Sequence, residues 1–159
     1  MKINIKSSIK ISLSLFLQEI IIQQTREIVL KAFNAQVSGD VELWKSLISE
    51  KYSYTLNGQL DISKSYNWDE LMKMQADFGK RIKGTVGVEF HEIIVDGNKA
   101  VVFATGKMEG VGGKYENDYA IKYELDEKGK ILSTREWLSD ILFATQMYGL
   151  EICGEKKAL

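Results

Sequence analysis

Apolar residues recur at helical spacing in three stretches of the first half of the chain. Asp40 and Asn67 precede the second and third stretches and are suited to cap helices, and Gly39 follows the first as a helix C-terminal glycine would. The pattern predicts helices over residues 19–37, 41–48 and 68–78, with a short strand over 52–56.

Beyond residue 83 apolar and polar positions alternate, which is typical of strands. Turn sequences such as Asp96-Gly97-Asn98 separate the strands, and short turns imply antiparallel neighbours. The alternation slips by one position near His91 or Glu92, as a β-bulge would cause. Strands are predicted over residues 85–95, 99–108, 115–125 and 130–138, and a final helix over 141–148.

This order of elements indicates an α+β fold, in which helices pack on one face of a bent antiparallel sheet. A curved sheet wrapped around helices leaves a pocket between them. We expect one domain over residues 19–152, an N-terminal extension over 1–18 and a tail over 153–159.

The N-terminal extension has part of the outline of a secretory signal, because three lysines precede a short apolar run over 11–17. Gln18 and Glu19 interrupt that run, and no small-residue cleavage site follows it. We therefore expect a cytoplasmic protein with an uncleaved extension, and a secreted or periplasmic protein is the alternative.

Composition and charge bear on which partners and cofactors the protein can have. The 159 residues include 21 Lys and Arg against 22 Asp and Glu, a formal net charge of −1. This balance favours neither nucleic acid nor a membrane surface as a partner. One His and one Cys cannot supply the ligands of a typical zinc site, so we expect no metal and no cofactor.

Strand alternation indicates which polar side chains share a face. Glu136 and Asp140 have the same parity on the last strand, and in the strand before it tyrosines line one side. Carboxylates that point into a tyrosine-lined cavity would have raised pKa values. The alternatives are that Asp140 caps the final helix, that Glu136 pairs with a surface cation and that His91, the lone imidazole, is solvated or faces a dimer partner.

Several segments resemble the nuclear-transport-factor-2-like (NTF2-like) superfamily, especially its SnoaL-like and ketosteroid-isomerase-like branch. The resemblance implies a cone-shaped α+β barrel with a cavity (an NTF2-like or cystatin-like roll) and a homodimer. The segments are AFNAQVSGD at 32–40 with Trp44, LISEKYSY at 47–54, VDGNKAVV at 95–102 and DEKGKILSTREW at 126–137.

The catalytic groups of the steroid isomerases are missing from the matching positions. Leu56 stands in place of the general base, Ile121 in place of the protonated acid, and the tyrosine of the first helix is absent near residues 29–32. Asp140 matches instead the acidic residue that follows the last strand in SnoaL-like cyclases.

We therefore predict a SnoaL-like, cofactor-free enzyme of the cyclase, isomerase or hydrolase type, with an isomerase or cyclase-like lyase favoured. It would act by general acid–base catalysis on a small apolar carbonyl-bearing metabolite. Asp140 is the predicted acid or base, assisted by Glu136 or His91. A non-catalytic small-ligand-binding or dimeric interaction module of the same fold is the alternative. The predicted substrate contacts are Tyr54, Tyr119, Tyr123, Trp44, Trp137 and Asn117, where the tryptophans have core or interface packing as their alternative.

Overall fold

The computed structural model describes the backbone of residues 5–153 and the side chains of residues 13–153. Every helix and strand predicted from the sequence is present. In chain order the elements are α1 (Ile5–Ser38), α2 (Val41–Leu47), β1 (Ile48–Leu56), β2 (Ser65–Tyr66), α3 (Trp68–Gly79), β3 (Lys83–Asp96), β4 (Lys99–Gly110), β5 (Gly113–Leu125), β6 (Ile131–Trp137), α4 (Asp140–Leu142) and a π-helical turn (Phe143–Met147).

The six strands form one sheet in the order β2-β1-β6-β5-β4-β3. Strands β3 to β6 are neighbours in sequence and in the sheet, as the short turns between them predicted. The N–H of Asn57, directly after β1, donates to the carbonyl of Glu136 near the end of β6 (2.9 Å). Since both strands end at this point, β1 runs parallel to β6, and the sheet is mixed rather than wholly antiparallel.

Strand β2 was not predicted, because two residues are too short to show a period. It pairs antiparallel with β1, and Tyr54 lies opposite Tyr66. Strand β3 runs without interruption, and the bulge near His91 stays a prediction.

The predicted helix caps are confirmed. The Asp40 side chain accepts the N–H of Leu43 (3.0 Å) at the start of α2. At the start of α3, Asn67 accepts the N–H of Glu70 (3.0 Å), while the Glu70 carboxylate accepts the N–H of Asn67 (2.9 Å). These reciprocal bonds form a capping box, which satisfies backbone donors that have no partner inside the helix.

Helix α1 begins earlier than predicted, because the helical conformation continues through the N-terminal extension from Ile5. The apolar side chains of Leu13, Leu15, Phe16 and Leu17 are all more than half exposed. Within residues 5–153, no helix has both the length and the apolar character needed to cross a membrane. The ends of the predicted extension (1–4) and of the tail (154–159) lie outside the described residues.

Contacts along the chain define two compact units that alternate in sequence. The first comprises residues up to Tyr52 with Ile93–Val101 and Lys122–Ser133, and buries α1 side chains such as Val29 and Ala32. The second comprises Ser53–Glu92, Val102–Ile121 and the chain from Thr134 onward. In the second unit Tyr115, Phe143 and Met147 are buried together, and the Phe143 ring stacks on that of Phe78 (5.4 Å between centroids).

Candidate functional site

The candidate site lies in the second unit and is built around Glu136 on β6. The Tyr54 hydroxyl, from β1, donates a hydrogen bond to Oε2 of Glu136. Asn57 holds the backbone at the same residue, because its N–H (2.9 Å) and its Nδ2 (3.0 Å) both donate to the Glu136 carbonyl. Both ends of Glu136 are therefore fixed by residues of β1 and of the loop that follows it.

Burial raises the pKa of the Glu136 carboxyl above its usual range, although part of the residue stays accessible. The hydrogen bond from Tyr54 stabilises the carboxylate and opposes part of that rise. A carboxyl group that titrates closer to neutrality can take up and release a proton in one catalytic cycle. The alternative that Glu136 pairs with a surface cation is wrong, since its partner is Tyr54, and Lys107 pairs with Glu89 and Glu116.

Two tyrosines of β5 form a hydroxyl pair within electrostatic range of the Glu136 carboxyl. Tyr115 Oη and Tyr119 Oη are 2.8 Å apart, and Nδ2 of Asn117 donates to Tyr115 Oη (3.0 Å). Burial is the main reason that the pKa of Tyr115 rises to about 12 and that the pKa of Tyr119 is raised as well. The charge of Glu136 contributes to both increases. Both residues are therefore neutral phenols, which donate hydrogen bonds.

Gly106 of β4 makes room for the ring of Tyr119. A Cβ at this position would lie 2.6 Å from Cε2 and 2.7 Å from the hydroxyl oxygen of Tyr119, closer than any real contact allows. Sequence reasoning did not select Gly106. The available signal was a glycine inside a predicted strand, which often marks a close approach of another group.

The amide of Asn117 is occupied by protein partners. Its Oδ1 accepts the N–H of Ser139 (3.0 Å), and its Nδ2 donates to the carbonyl of Ser139 (3.1 Å) as well as to Tyr115. Asn117 is 3% exposed. Its observed contacts hold the corner between β6 and α4 in place.

Asp140 follows this corner and contacts the loop after β1. Its Oδ2 accepts the N–H of Gln59 (2.6 Å). The alternative that Asp140 is the cap of the final helix is wrong, because the Ser139 side chain accepts the N–H of Leu142 and caps α4. Asp140 thus lies near Glu136 in sequence, and its described partner is the backbone at Gln59.

His91 belongs to a different hydrogen-bond chain. The Thr105 hydroxyl donates to Oδ1 of Asp118 (2.6 Å), so His91 Nε2 (2.7 Å from Thr105 Oγ1) is the donor to Thr105. Because side chains alternate along a strand, Asp118 and Tyr119 of β5 point to opposite faces. The structure does not bring His91 into the hydrogen-bond cluster of Glu136.

The remaining predicted contacts are Tyr123, Trp44 and Trp137. In the first unit, Tyr123 donates to Oε1 of Gln36 (2.8 Å), and Trp44 is buried at 2% exposure. Trp137 is 42% exposed. Among the described side chains, no group of three or more His, Cys, Asp and Glu residues is placed to hold a metal ion.

Solved structures of other proteins share this architecture, and they identify the fold. The chain is similar to an NTF2-like protein from Burkholderia xenovorans LB400 (15% identity, 79% of this chain and 97% of that one, TM-score 0.64). It is similar to Bal32a from a soil-derived mobile gene cassette (20% identity, 79% and 95% coverage, TM-score 0.67). A proposed SnoaL-like polyketide cyclase from Jannaschia sp. CCS1 also matches (14% identity, 82% and 96% coverage, TM-score 0.67).

No protein-family model and no curated protein matches the sequence. The chain has the NTF2-like fold, as the sequence resemblance predicted. Because this fold carries many activities, function has to be argued from the site itself.

Proposed function

We propose that the protein is a SnoaL-like enzyme that performs acid–base chemistry on a small apolar molecule with a carbonyl group. The observation that carries this proposal is the Glu136 carboxyl, which is desolvated, hydrogen-bonded to Tyr54 and within electrostatic range of a pair of neutral tyrosines. The NTF2-like fold, shared with a proposed polyketide cyclase, supports the same class.

In the proposed reaction, the Glu136 carboxylate removes a proton from the carbon next to the carbonyl. The electron pair of that C–H bond moves into the carbonyl group, and negative charge develops on its oxygen. Either hydroxyl of the Tyr115–Tyr119 pair can donate to the other. In the proposed reaction Tyr115 donates to Tyr119, and the Tyr119 proton is donated to the substrate oxygen. If the substrate has a C=C bond beyond that carbon, the enolate electrons extend over it, and the Glu136 carboxylic acid returns the proton to the far carbon of this bond while the C=C bond shifts and the carbonyl re-forms, which completes an isomerisation. In a saturated ketone the proton returns to the carbon it left, which gives solvent exchange.

The test is solvent exchange of the acidic C–H positions of simple cyclic ketones, with β-tetralone in D2O as the first probe and NMR as the readout. We expect the wild-type protein to accelerate exchange and Glu136→Gln to lose about 100-fold or more of that acceleration, the usual size of an acid–base contribution. Glu109→Gln, which changes an exposed carboxylate of β4, is the matched control and should retain the wild-type rate. Equal rates in wild type and Glu136→Gln would remove Glu136 from the mechanism.

A non-catalytic ligand-binding module is the second candidate. It is favoured by one observation: the polar groups of the site pair with one another, Tyr54 with Glu136 and Tyr115 with Tyr119. Buried networks of this kind also occur as purely structural elements. Ketones that bind to the wild-type protein without any exchange would decide for this second function.

A further inference from the structure

The loop that follows β1 is fastened to Glu136 at its first residue. Asn57 donates two hydrogen bonds to the Glu136 carbonyl, one from its N–H and one from its side chain. Any movement of this loop therefore reaches the backbone of the proposed acid–base residue.

Asp140 contacts the next two residues of the same loop. It accepts the N–H of Gln59 at 2.6 Å, and its carboxylate lies directly against Gly58. A Cβ on residue 58 would come within 2.2 Å of Oδ1 and 2.6 Å of Oδ2. Gly58 also has a φ of +151°, which side-chain-bearing residues rarely adopt. Glycine at this position is what allows the carboxylate to lie on the loop.

On the other side of this contact, the backbone next to Asp140 is anchored by hydrogen bonds. Ser139, immediately before Asp140, is held by two hydrogen bonds with the buried amide of Asn117: its carbonyl accepts from Nδ2 and its N–H donates to Oδ1. Asp140 therefore projects from an anchored corner, and the loop is the part that it holds.

We infer that Asp140 is a positioning residue, which holds the loop of residues 57–59 on the corner after β6 and thereby keeps Asn57 on Glu136. This inference rests on the proposed function only in taking Glu136 as the acid–base group. It differs from the role of catalytic acid or base that the sequence resemblance implied for Asp140.

Two substitutions of Asp140 distinguish a positioning role from a role as catalytic acid or base. Asp140→Asn keeps the size of the side chain and an oxygen that can accept the Gln59 N–H, but it cannot exchange a proton. Asp140→Ala removes the acceptor. Asp61→Ala, which deletes an exposed carboxylate farther along the same connection between β1 and β2, is the control.

Three measurements are made on each full-length variant: hydrogen exchange of the Gln59 amide, NMR titration of the Glu136 carboxyl and the ketone exchange assay. In Asp140→Ala we expect the Gln59 amide to lose about tenfold in protection, the size expected for one hydrogen bond to a charged group. Water admitted by the loosened loop should return the pKa of Glu136 toward its ordinary range and lower kcat. Asp140→Asn and Asp61→Ala should stay close to wild type in all three measurements, with an unchanged pH–rate profile.

The inference is overturned if Asp140→Asn loses as much ketone exchange as Asp140→Ala while the Gln59 amide stays protected, since Asp140 would then act through its proton. It is equally overturned if Asp140→Ala leaves Gln59 and Glu136 at their wild-type values. Gly58→Ala opens the same contact from the loop side and has to reproduce the Asp140→Ala pattern, which covers the case in which Asp140→Ala does not fold. If wild type exchanges no ketone, the proposed function fails, while amide exchange and titration still decide the role of Asp140.

Discussion

Two opposing interactions set the pKa of Glu136. Burial raises this pKa because a desolvated carboxylate is costly, and the Tyr54 hydroxyl lowers it by donating to the carboxylate. The balance matters for the proposed chemistry, because a base has to be ionised when substrate arrives and protonated after it has acted.

Tyr54→Phe should therefore raise the pKa of Glu136 above the wild-type value, because the hydrogen bond that offsets the effect of burial on this pKa is lost. NMR titration with ¹³C-labelled glutamate carboxyl groups would measure the change. Tyr148→Phe removes a hydroxyl at another place in the second unit and should leave the titration of Glu136 as in wild type. A lower pKa in Tyr54→Phe would mean that water enters and replaces the hydroxyl.

At the scale of elements, strands β4 and β5 place the tyrosine pair. Tyr119 rests on the backbone of β4 at Gly106, so the orientation of its hydroxyl depends on the absence of a side chain there. The Asn117 amide connects β5 to the corner between β6 and α4. Positions outside the proposed chemistry, such as Gly106, thus determine where the tyrosine hydroxyls lie.

Gly106→Ala should destabilise the protein by about 1–3 kcal/mol, the usual cost of overpacking, and should displace the Tyr119 hydroxyl from Tyr115. Urea unfolding measures the first effect, and the ring and hydroxyl resonances of Tyr119 report the second. Gly87→Ala is the matched control in β3, where a Cβ meets its nearest neighbour at 3.4 Å, an ordinary contact. Equal losses in the two variants would show that the Tyr119 ring adapts to a Cβ at residue 106.

At the scale of the whole molecule, a buried carboxyl makes stability depend on pH. The folded state holds the Glu136 proton to higher pH than the unfolded state, whose carboxyl titrates at about 4.3. The contribution of Glu136 to stability is therefore complete below that pH and is lost as pH rises through the folded-state pKa.

Glu136→Gln should remove this dependence, because a neutral amide replaces the titrating group. Relative to wild type, the free energy of unfolding of the variant should increase by up to about 1.4 kcal/mol per pH unit as pH rises from the unfolded-state pKa of Glu136 to its folded-state pKa. Urea unfolding of both proteins from pH 4 to 8 measures the difference. Glu109→Gln, at an exposed site, should run parallel to wild type over the whole range; a parallel curve for Glu136→Gln as well would argue against a raised pKa.

The local features of this protein can be predicted from its residue pattern. Helix caps such as Asn67 and its capping box follow from residues three apart, and strand alternation places Tyr115, Asn117 and Tyr119 together on one face of β5. These features need only contacts within a few positions of the chain, and the pattern of residue types records them. The resemblance between several such segments and the NTF2-like superfamily was sufficient to predict the fold.

Which of these elements meet follows from three-dimensional packing and not from the local residue pattern. Tyr54 and Glu136 are 82 residues apart in the sequence, and Gln59 and Asp140 are 81 residues apart. They come together because β1 lies beside β6 as a parallel neighbour, which no turn sequence between the two strands announces. A two-residue period shows which face a side chain occupies but not which strand lies next to it. For that reason the sequence pattern pointed to both Glu136 and Asp140, and the structure shows that their contacts differ. Glu136 is hydrogen-bonded to the buried Tyr54, and Asp140 is hydrogen-bonded to the loop after β1 at Gln59.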